Sequence, residues 1–378
     1  MAIRTLARIN LAAIERNVAR LHGGLAGGAG LCVVVKANGY GHGAVPVARA
    51  ALAGGAQLLA VATATEAAEL RAGGIDAPVL VMGAISDDEL PVAMGARAEL
   101  VAWSERFASM LVSRARRGGA TPPVRVHVKL DTGMGRLGTR SPEEAIRVAE
   151  QVAAATPALD LAGAMTHFAS ADEDPDFTRE QLERFEPFVR ELRERYPGIL
   201  VHAANSAATL STPASHFDLV RCGIAVYGCD PMNEDPSSHG LEPALELTSY
   251  VAAVKPAAPG QSAGYGRRFI ADAPTLIATV PIGYGDGIRR ALTNNCDVLI
   301  RGRRYPLVGT VSMDNVTIDV GSGDAVAIGD RVTIIGVDGD QRVSAEELAQ
   351  RIGTINYEVV CGISARVPRV YHRDGTPA

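Results

Sequence analysis

The sequence predicts an α/β protein: an N-terminal (β/α)8 barrel of the TIM type followed by a C-terminal, mostly-β domain. Three observations predict it. Eight short apolar runs alternate with amphipathic, Ala-, Leu- and Glu-rich stretches between Leu31 and Gly228. That rhythm stops at the polar, Pro-rich stretch DPMNEDPSSHG (Asp230–Gly240), which reads as a linker. Strand-like runs then follow one another between Gly, Asp and Pro, and only SAEELAQRI has a clear helical pattern. The expected domains are residues 1–232 and 233–378.

The eight runs are LCVVVKA, LLAVAT, VLVMG, ELVAW, VRVHVKLDT, LAGAMTHFA, ILVHAANS and DLVRCGIAVYG. Apolar runs without polar alternation suit parallel strands buried on both faces. An open doubly wound sheet is the rival arrangement, but eight evenly spaced units favour a closed barrel. Helix starts fall between them. Asn10 precedes a stretch with Leu11, Ile14, Val18 and Leu21 on one face. Thr63 with Glu66, Ser86 with Glu89, Ser141 with Glu144 and Thr178 with Gln181 have capping-box spacing. In the β domain the runs are LELTSYVAAV, PTLIATVPIGY, DVLIRGRRYPLVG, NVTIDV, AVAIGDRVTIIG and ISARVPRVY, which suit a small barrel or sandwich.

Bulk properties narrow the function. The net charge of −5 with scattered Lys and Arg argues against a nucleic-acid partner. The five cysteines are widely spaced without a C-x-x-C pair, so neither a disulfide framework nor a zinc ribbon is expected. The first residues lack a continuous apolar export region, and no apolar run approaches the roughly 20 residues of a membrane span. A soluble, cytoplasmic protein without membrane contact is the expectation.

Barrel active sites lie at the C-terminal ends of the strands. The runs deliver Lys36 and Tyr40, then Lys129, Asp131 and Arg136, then His167, then Asn205 and Ser206, then Arg221 and CGIAVYG. Each alone reads as an ordinary rim residue; their collection at one mouth is the informative feature. GMGRLG (Gly133–Gly138) matches a dinucleotide fingerprint, but it follows the fifth run, and the acid at the right spacing, Asp160, begins a run instead of ending one. The eight histidines form no metal-ligand spacing, so no metal site is expected. A strand-end lysine, partly desolvated, favours a neutral amine for Schiff-base chemistry. Pyridoxal 5'-phosphate needs such an amine, a partner for its ring nitrogen and a phosphate cradle. Lys36, Arg221, and Ser206 with the CGIAVYG loop could supply them.

These residues stand in motifs that closely resemble the alanine racemase family of fold-type III pyridoxal-phosphate enzymes. The motifs VVVKANGYGHG, VHVKLDTGMGRLG, MTHFASAD, NSAATL, VRCGIAVYG, SAGYGRRF, PIGYGDG, GTVSMDNVTIDV and TINYEVVCGISARVPRVY run along nearly the whole chain. The resemblance implies that Lys36 is the Schiff-base lysine and that Tyr40, Ser206, Gly223, Ile224 and Tyr357 contact the phosphate. It implies that Arg221 faces the pyridine nitrogen, with His167 as its partner. Arg136 is implied near the cofactor's phenolic oxygen and the substrate carboxylate. Lys129 matches a lysine carbamylated in many members. Tyr265 matches a catalytic tyrosine supplied by the other subunit of a homodimer, with Met313 and Tyr284 beside it, so the active sites would be shared. The first few residues would be free to pack with the β domain.

The implied activity is two-base interconversion of L- and D-alanine, supplying D-alanine for peptidoglycan, with Lys36 as the D-isomer's base and Tyr265 as the L-isomer's. Tyr357, Tyr284 and Met313 would crowd the side-chain pocket, which suits a methyl group. A broader-specificity amino-acid racemase is the nearest alternative; a fold-type III decarboxylase and a non-catalytic pyridoxal-phosphate-binding protein match fewer motifs. Ser312 and Gly285 depart from the family's common residues without touching an implied role. For His42 the expectation is a structural hydrogen bond.

Overall fold

The computed structural model describes residues 4–118, 122–323 and 325–378. They form two compact units: Ile14–Gly39 with Ala44–Val226, and the residues through Ala13 with Tyr40–Gly43 and Tyr227–Ala378.

The chain opens with β1 (Leu6–Asn10) and α1 (Leu11–Gly23). Asn10 Oδ1 accepts from Ala12 N at the start of α1, and Leu11, Ile14, Val18 and Leu21 are buried as their spacing predicts. The first unit then lays down β2 (Gly30–Val34), β3 (Leu58–Val61), β4 (Val79–Val81), β5 (Glu99–Ala102), β6 (Val124–Lys129), β7 (Leu159–Met165), β8 (Leu200–His202) and β9 (Leu219–Cys222). Each expected run becomes one of these strands. They pair in parallel in chain order, and β9 closes on β2 through Cys32 opposite Arg221. The intervening segments are α2 (Lys36–Tyr40), α3 (Ala44–Ala53), α4 (Ala64–Ala72), α5 (Leu90–Gly95), α6 (Glu105–Gly118), α7 (Pro142–Ala153), α8 (Pro175–Arg195) and α9 (Ser206–Ser211).

The capping signals fare unevenly. Thr63 and Glu66 form the reciprocal box at α4. Ser141 caps α7, but the Glu144 carboxylate turns to the Thr139 hydroxyl. Ser86 and Glu89 bond each other in the turn ahead of α5, which starts only at Leu90. Thr178 and Gln181 do not start a helix. Asp174 caps α8 four residues earlier, with Pro175 in the first turn, so both side chains fall inside the helix and are buried.

The second unit holds β10 (Leu245–Tyr250), β11 (Ala253–Ala257), β12 (Ser262–Ala263), β13 (Phe269–Ile270), β14 (Thr275–Val280), β15 (Asp297–Ile300), β16 (Arg303–Val308), β17 (Val316–Gly321), β18 (Arg331–Asp338), β19 (Gln341–Val343), α10 (Ala345–Arg351), α11 (Asn356–Cys361), β20 (Arg369–Arg373) and β21 (Thr376–Pro377). Instead of a small closed barrel, most of the strands join one mixed sheet in the order β11-β14-β17-β16-β15-β18-β10-β1-β20-β21, with β19 on β18. β1 is antiparallel to β10 and parallel to β20, so the chain's start is a strand of this unit. α11 is a helix the sequence pattern missed; at six residues it is too short to show a period.

The stretch Asp230–Gly240 is fastened within the second unit. The buried Asp230 carboxylate accepts from Met232 N, Glu234 N and His239 Nδ1, and Asn356 Nδ2 donates to its carbonyl. Turn residues here make a tight, bonded loop, where composition alone suggested a linker.

Candidate active site

The first site residue sits beside the most unusual backbone in the chain. After Lys36, five consecutive residues have positive φ: Ala37 (51°), Asn38 (53°), Gly39 (61°), Tyr40 (50°) and Gly41 (81°). α2 is therefore a single left-handed turn, which costs about 1–2 kcal/mol for each residue other than glycine. Local bonds offset that cost. Ala37 N donates to Glu66 Oε1 (2.7 Å), whose other oxygen accepts from Ala62 N and Thr63 N beyond β3. Asn38 Oδ1 accepts from Ala44 N, and Gly39 N donates to Val35 O. Lys36, half-buried at the tip of β2, is thus held by a fixed turn. Such over-determined strain is typical of functional sites.

Past the turn, Tyr40 packs at 4.9 Å from Tyr227 and 6.1 Å from Tyr357, ring centre to ring centre. The chain runs so close to its neighbours here that a Cβ on Gly41 would meet Val360 O at 2.4 Å. His42 does bond structurally, donating from Nδ1 to Tyr40 O (2.9 Å), and its ring lies 4.6 Å from that of Tyr227.

β6 presents Lys129 at its end, and the glycine-rich loop follows. Asp131 accepts from Gly133 N and Gly135 N, and a Cβ on Gly138 would come within 2.9 Å of Asp131 N. The glycines therefore wrap the end of the strand. α7 begins only at Pro142, so this loop does not open a helix as a dinucleotide loop would. Burial, then Arg221 and Arg136, pull Lys129 down to about 8.

Arg221, on β9, is buried and donates to His202 Nδ1 (2.8 Å), Thr166 O (2.9 Å), Ala203 O (2.8 Å) and His167 Nδ1 (3.1 Å). Its Nε–H and second Nη1–H remain for a ligand. Burial lowers Arg221 only to about 10, so it stays a cation near neutral pH. Burial, then Arg221, Lys129, Arg136 and Lys36, hold His167 well below its ordinary range, so the ring is neutral. That single ring therefore feels four cations that the sequence spreads over nearly 190 residues. Next to them Ser206, the first residue of α9 behind its Asn205 cap, accepts from Gly223 N (2.9 Å). Gly223 leads into a 3-10 turn, Ile224–Tyr227, whose residues are buried.

Sequence reasoning missed three supports of this mouth. Glu66 ties down the turn after Lys36, but its spacing suggested only a helix cap. Gln181 donates to Thr132 Oγ1 and His167 O and accepts from Ala169 N, fixing the loop that carries His167. His202 is the last residue of β8, but in the sequence it stands within ILVHAANS ahead of the polar Asn205 and Ser206.

The second unit holds Tyr265, Tyr284 and Met313, all exposed. Tyr265 lies in a 3-10 turn between Gly264 and Gly266, both at positive φ. Tyr284 N donates to Ser312 O and Gly285 N to Met313 O. A Cβ on Gly283 would sit 2.3 Å from Ser312 O, so only glycine permits that approach. Tyr265 and Tyr284 therefore hang on backbones bonded to the segment 310–313, which itself carries Met313.

The donor set of the barrel mouth fits pyridoxal 5'-phosphate. Four cations suit an anionic group, Ser206 with the N–H groups of the Gly223 turn suits a phosphate, and Arg221 has donors left for a ring nitrogen. Two family descriptions match: "Alanine racemase, N-terminal domain" over residues 9–231 and "Alanine racemase, C-terminal domain" over 244–371. The chain is 41% identical over 369 residues to "Alanine racemase" of Desulfovibrio desulfuricans, covering 97% of each. It is 42% identical over 340 residues to "Alanine racemase 2" of Caldanaerobacter subterraneus, covering 89% of this chain and 87% of the relative. Among solved structures it resembles alanine racemase from D-cycloserine-producing Streptomyces lavendulae (TM-score 0.93, 37% identity, 98% of each chain). It also resembles that of Bacillus anthracis with bound L-Ala-P (TM-score 0.89, 36% identity, 100% of this chain and 97% of that one). Matched along both of its units, and carrying at the barrel mouth the donors that these matches lead one to expect, the chain belongs to the alanine racemase family.

Proposed function

We propose that the protein is an alanine racemase, dependent on pyridoxal 5'-phosphate, that interconverts L- and D-alanine and supplies D-alanine for peptidoglycan. The family depends on that cofactor. The observation that carries the reading is the end of the closed barrel where the strands present Lys36, Lys129 and Arg221, with Arg221 bonded to His167 at 3.1 Å. Ser206, Gly223 and Ile224, with Tyr40 and Tyr357, would hold the phosphate, and Arg221 the ring nitrogen.

When bound, the cofactor spreads the negative charge left as an amino acid loses its α-proton. The chain's residues do the rest. Lys36 Nζ takes and returns that proton on one face, and Tyr265 Oη does so on the other. Arg221, a guanidinium, donates hydrogen bonds to the ring nitrogen but not a proton, which keeps the charge delocalisation moderate and the reaction short of transamination. Arg136 pairs with the substrate carboxylate. Lys129, neutral for roughly a tenth of the time at pH 7, can take up CO2 as a carbamate and brace Arg136.

The second base belongs to the other subunit of a homodimer with shared active sites. Tyr265, Met313 and Tyr284 are 75%, 53% and 44% exposed, and large side chains grouped like this mark an interaction surface. The barrel domain of each subunit would thus be served by the β domain of the other. Among the described residues no helix is long and apolar enough to cross a membrane. The five cysteines are free thiols, which supports a cytoplasmic setting. Exchange of the α-proton of alanine in D2O with formation of both enantiomers tests the activity; CO2 release instead would identify a decarboxylase. A chiral assay across several L-amino acids tests the preference for a methyl side chain.

A further inference from the structure

The interior of the first unit's barrel is polar where such barrels ordinarily pack Val, Ile and Leu. Glu99, His127, Lys129, His202 and Arg221 are all buried. Burying groups of this kind is costly unless each is bonded, and four of them form one continuous chain. Arg221 Nη1 meets His202 Nδ1 at 2.8 Å, His202 Nε2 meets His127 Nδ1 at 2.9 Å, and His127 Nε2 meets Glu99 Oε2 at 2.7 Å. Arg125 Nε donates to the other oxygen of Glu99 (3.0 Å) and continues to Asp160. Room for the chain is built in. Gly163 on β7 lies opposite His127, and a Cβ there would stand 2.2 Å from His127 Nδ1.

The direction of the bonds follows from chemistry. Arginine has no acceptor, so His202 Nδ1 offers its lone pair. Burial, then Arg221, hold His202 well below its ordinary range, so it is neutral and carries its proton on Nε2. That proton points at His127 Nδ1, which must accept, leaving the His127 proton on Nε2 towards Glu99. Burial alone would raise the Glu99 carboxyl, but its bonds to His127 and Arg125 outweigh this and hold it below its ordinary value. Every link therefore donates towards the carboxylate.

We propose that Glu99, at the end of the barrel away from the mouth, is a positioning residue for Arg221, locking His127 and His202 in the Nε2–H form so that the guanidinium keeps His202 as an acceptor. With leucine at position 99 the buried Nε2–H of His127 loses its acceptor while Arg125, which also bonded the carboxylate, remains beside it as a donor. Both changes favour the proton on His127 Nδ1, which faces the Nε2–H of His202 and pushes that proton to Nδ1, donor against donor with Arg221. The cofactor-facing arginine is then left with backbone carbonyls and His167. This inference rests on the reading that Arg221 serves the cofactor.

The test uses the holoenzyme with 15N-labelled histidine, whose two-bond couplings report each ring's tautomer. The expected result is Nε2–H at both His127 and His202; Nδ1–H at either, or a doubly protonated His202, overturns the proposal. Glu99→Leu should change the tautomer pattern and lower kcat about tenfold, the scale of one lost charge-assisted bond, with KM for alanine little changed. Glu99→Gln, whose amide oxygen still accepts, should keep the pattern and most of the rate. Wild-type tautomers and rate in Glu99→Leu would overturn the idea; should that variant not fold, the wild-type and Glu99→Gln spectra still decide. A wild-type protein that neither gains visible absorbance with pyridoxal phosphate nor racemises alanine defeats the underlying site reading instead.

Discussion

Thr310 Oγ1 donates a 2.6 Å hydrogen bond to the carbonyl of Tyr265. The turn that carries this ring is pinned from a second segment while the ring itself stands in solvent. Removing only the phenolic oxygen should therefore leave the turn intact. Tyr265→Phe is expected to lower racemisation by roughly 10²–10⁴-fold, the usual worth of a general acid–base group, with cofactor absorbance retained. Steady-state rates in both directions check it; full retention of the L-to-D rate would end the two-base assignment.

Lys36→Ala should abolish the visible absorbance of bound cofactor, since no other lysine occupies the tip of β2. The turn Ala37–Gly41 keeps its bonds to Glu66 and Asn38 in this variant, so the far-ultraviolet circular dichroism should stay that of a folded protein. An unaltered absorption band would place the cofactor elsewhere.

Ser206→Ala removes a hydroxyl that meets Gly223 N within the proposed phosphate cradle. Loss of one such bond, on the order of 1.4 kcal/mol, should weaken cofactor binding about tenfold. Titration of the apoenzyme with pyridoxal phosphate measures it.

Lys129 supplies a pH test. Its folded-state value of about 8 lies below the ordinary 10.5, so between these limits the unfolded chain binds the extra proton. Stability therefore rises with pH through that window, and the cost of charging the buried amine is fully present below about pH 8. In CO2-free buffer, the difference in unfolding free energy between wild type and Lys129→Met should change by on the order of 3 kcal/mol from pH 7 to 10.5. Denaturant unfolding at several pH values checks both sign and size.

Gly163→Ala should destabilise by about 1–3 kcal/mol, the range for overpacking a closed core, because its methyl would stand where the His127 ring lies. Thermal melting with and without cofactor would measure the loss.

The sequence makes the barrel legible because its strands are buried on both faces and recur at even spacing. Strand-end residues such as Lys36, Lys129, His167 and Arg221 could be picked out by position. Others could not. Glu66 and Gln181 mimic helix-cap spacing, and only three-dimensional packing turns them towards the mouth. Glu99 begins β5, His127 lies inside β6 and His202 ends β8, all within runs whose apolar letters mask them; which way each polar residue of a strand must point is the signal that singles them out. The anchoring of the Asp230–Gly240 loop to Asn356 and the joining of β1 to β10 and β20 depend on contacts more than a hundred residues apart, which no local pattern encodes.

The polar chain inside the barrel also divides labour along each strand. Inward positions such as His127, Lys129, His202 and Arg221 contribute little apolar cohesion. The hydrophobic free energy must then come from the intervening outward residues, among them Val126, Val128, Val201 and Val220, which are fully buried or nearly so. Neighbouring letters of one strand thus answer to separate pressures. Changes at even-spaced outward sites tune thermal tolerance through apolar packing while the chemistry stays fixed, and inward changes act on the chemistry and on stability through the bonds and close contacts of the polar chain. A variant library partitioned by strand parity would sort into those two phenotypes.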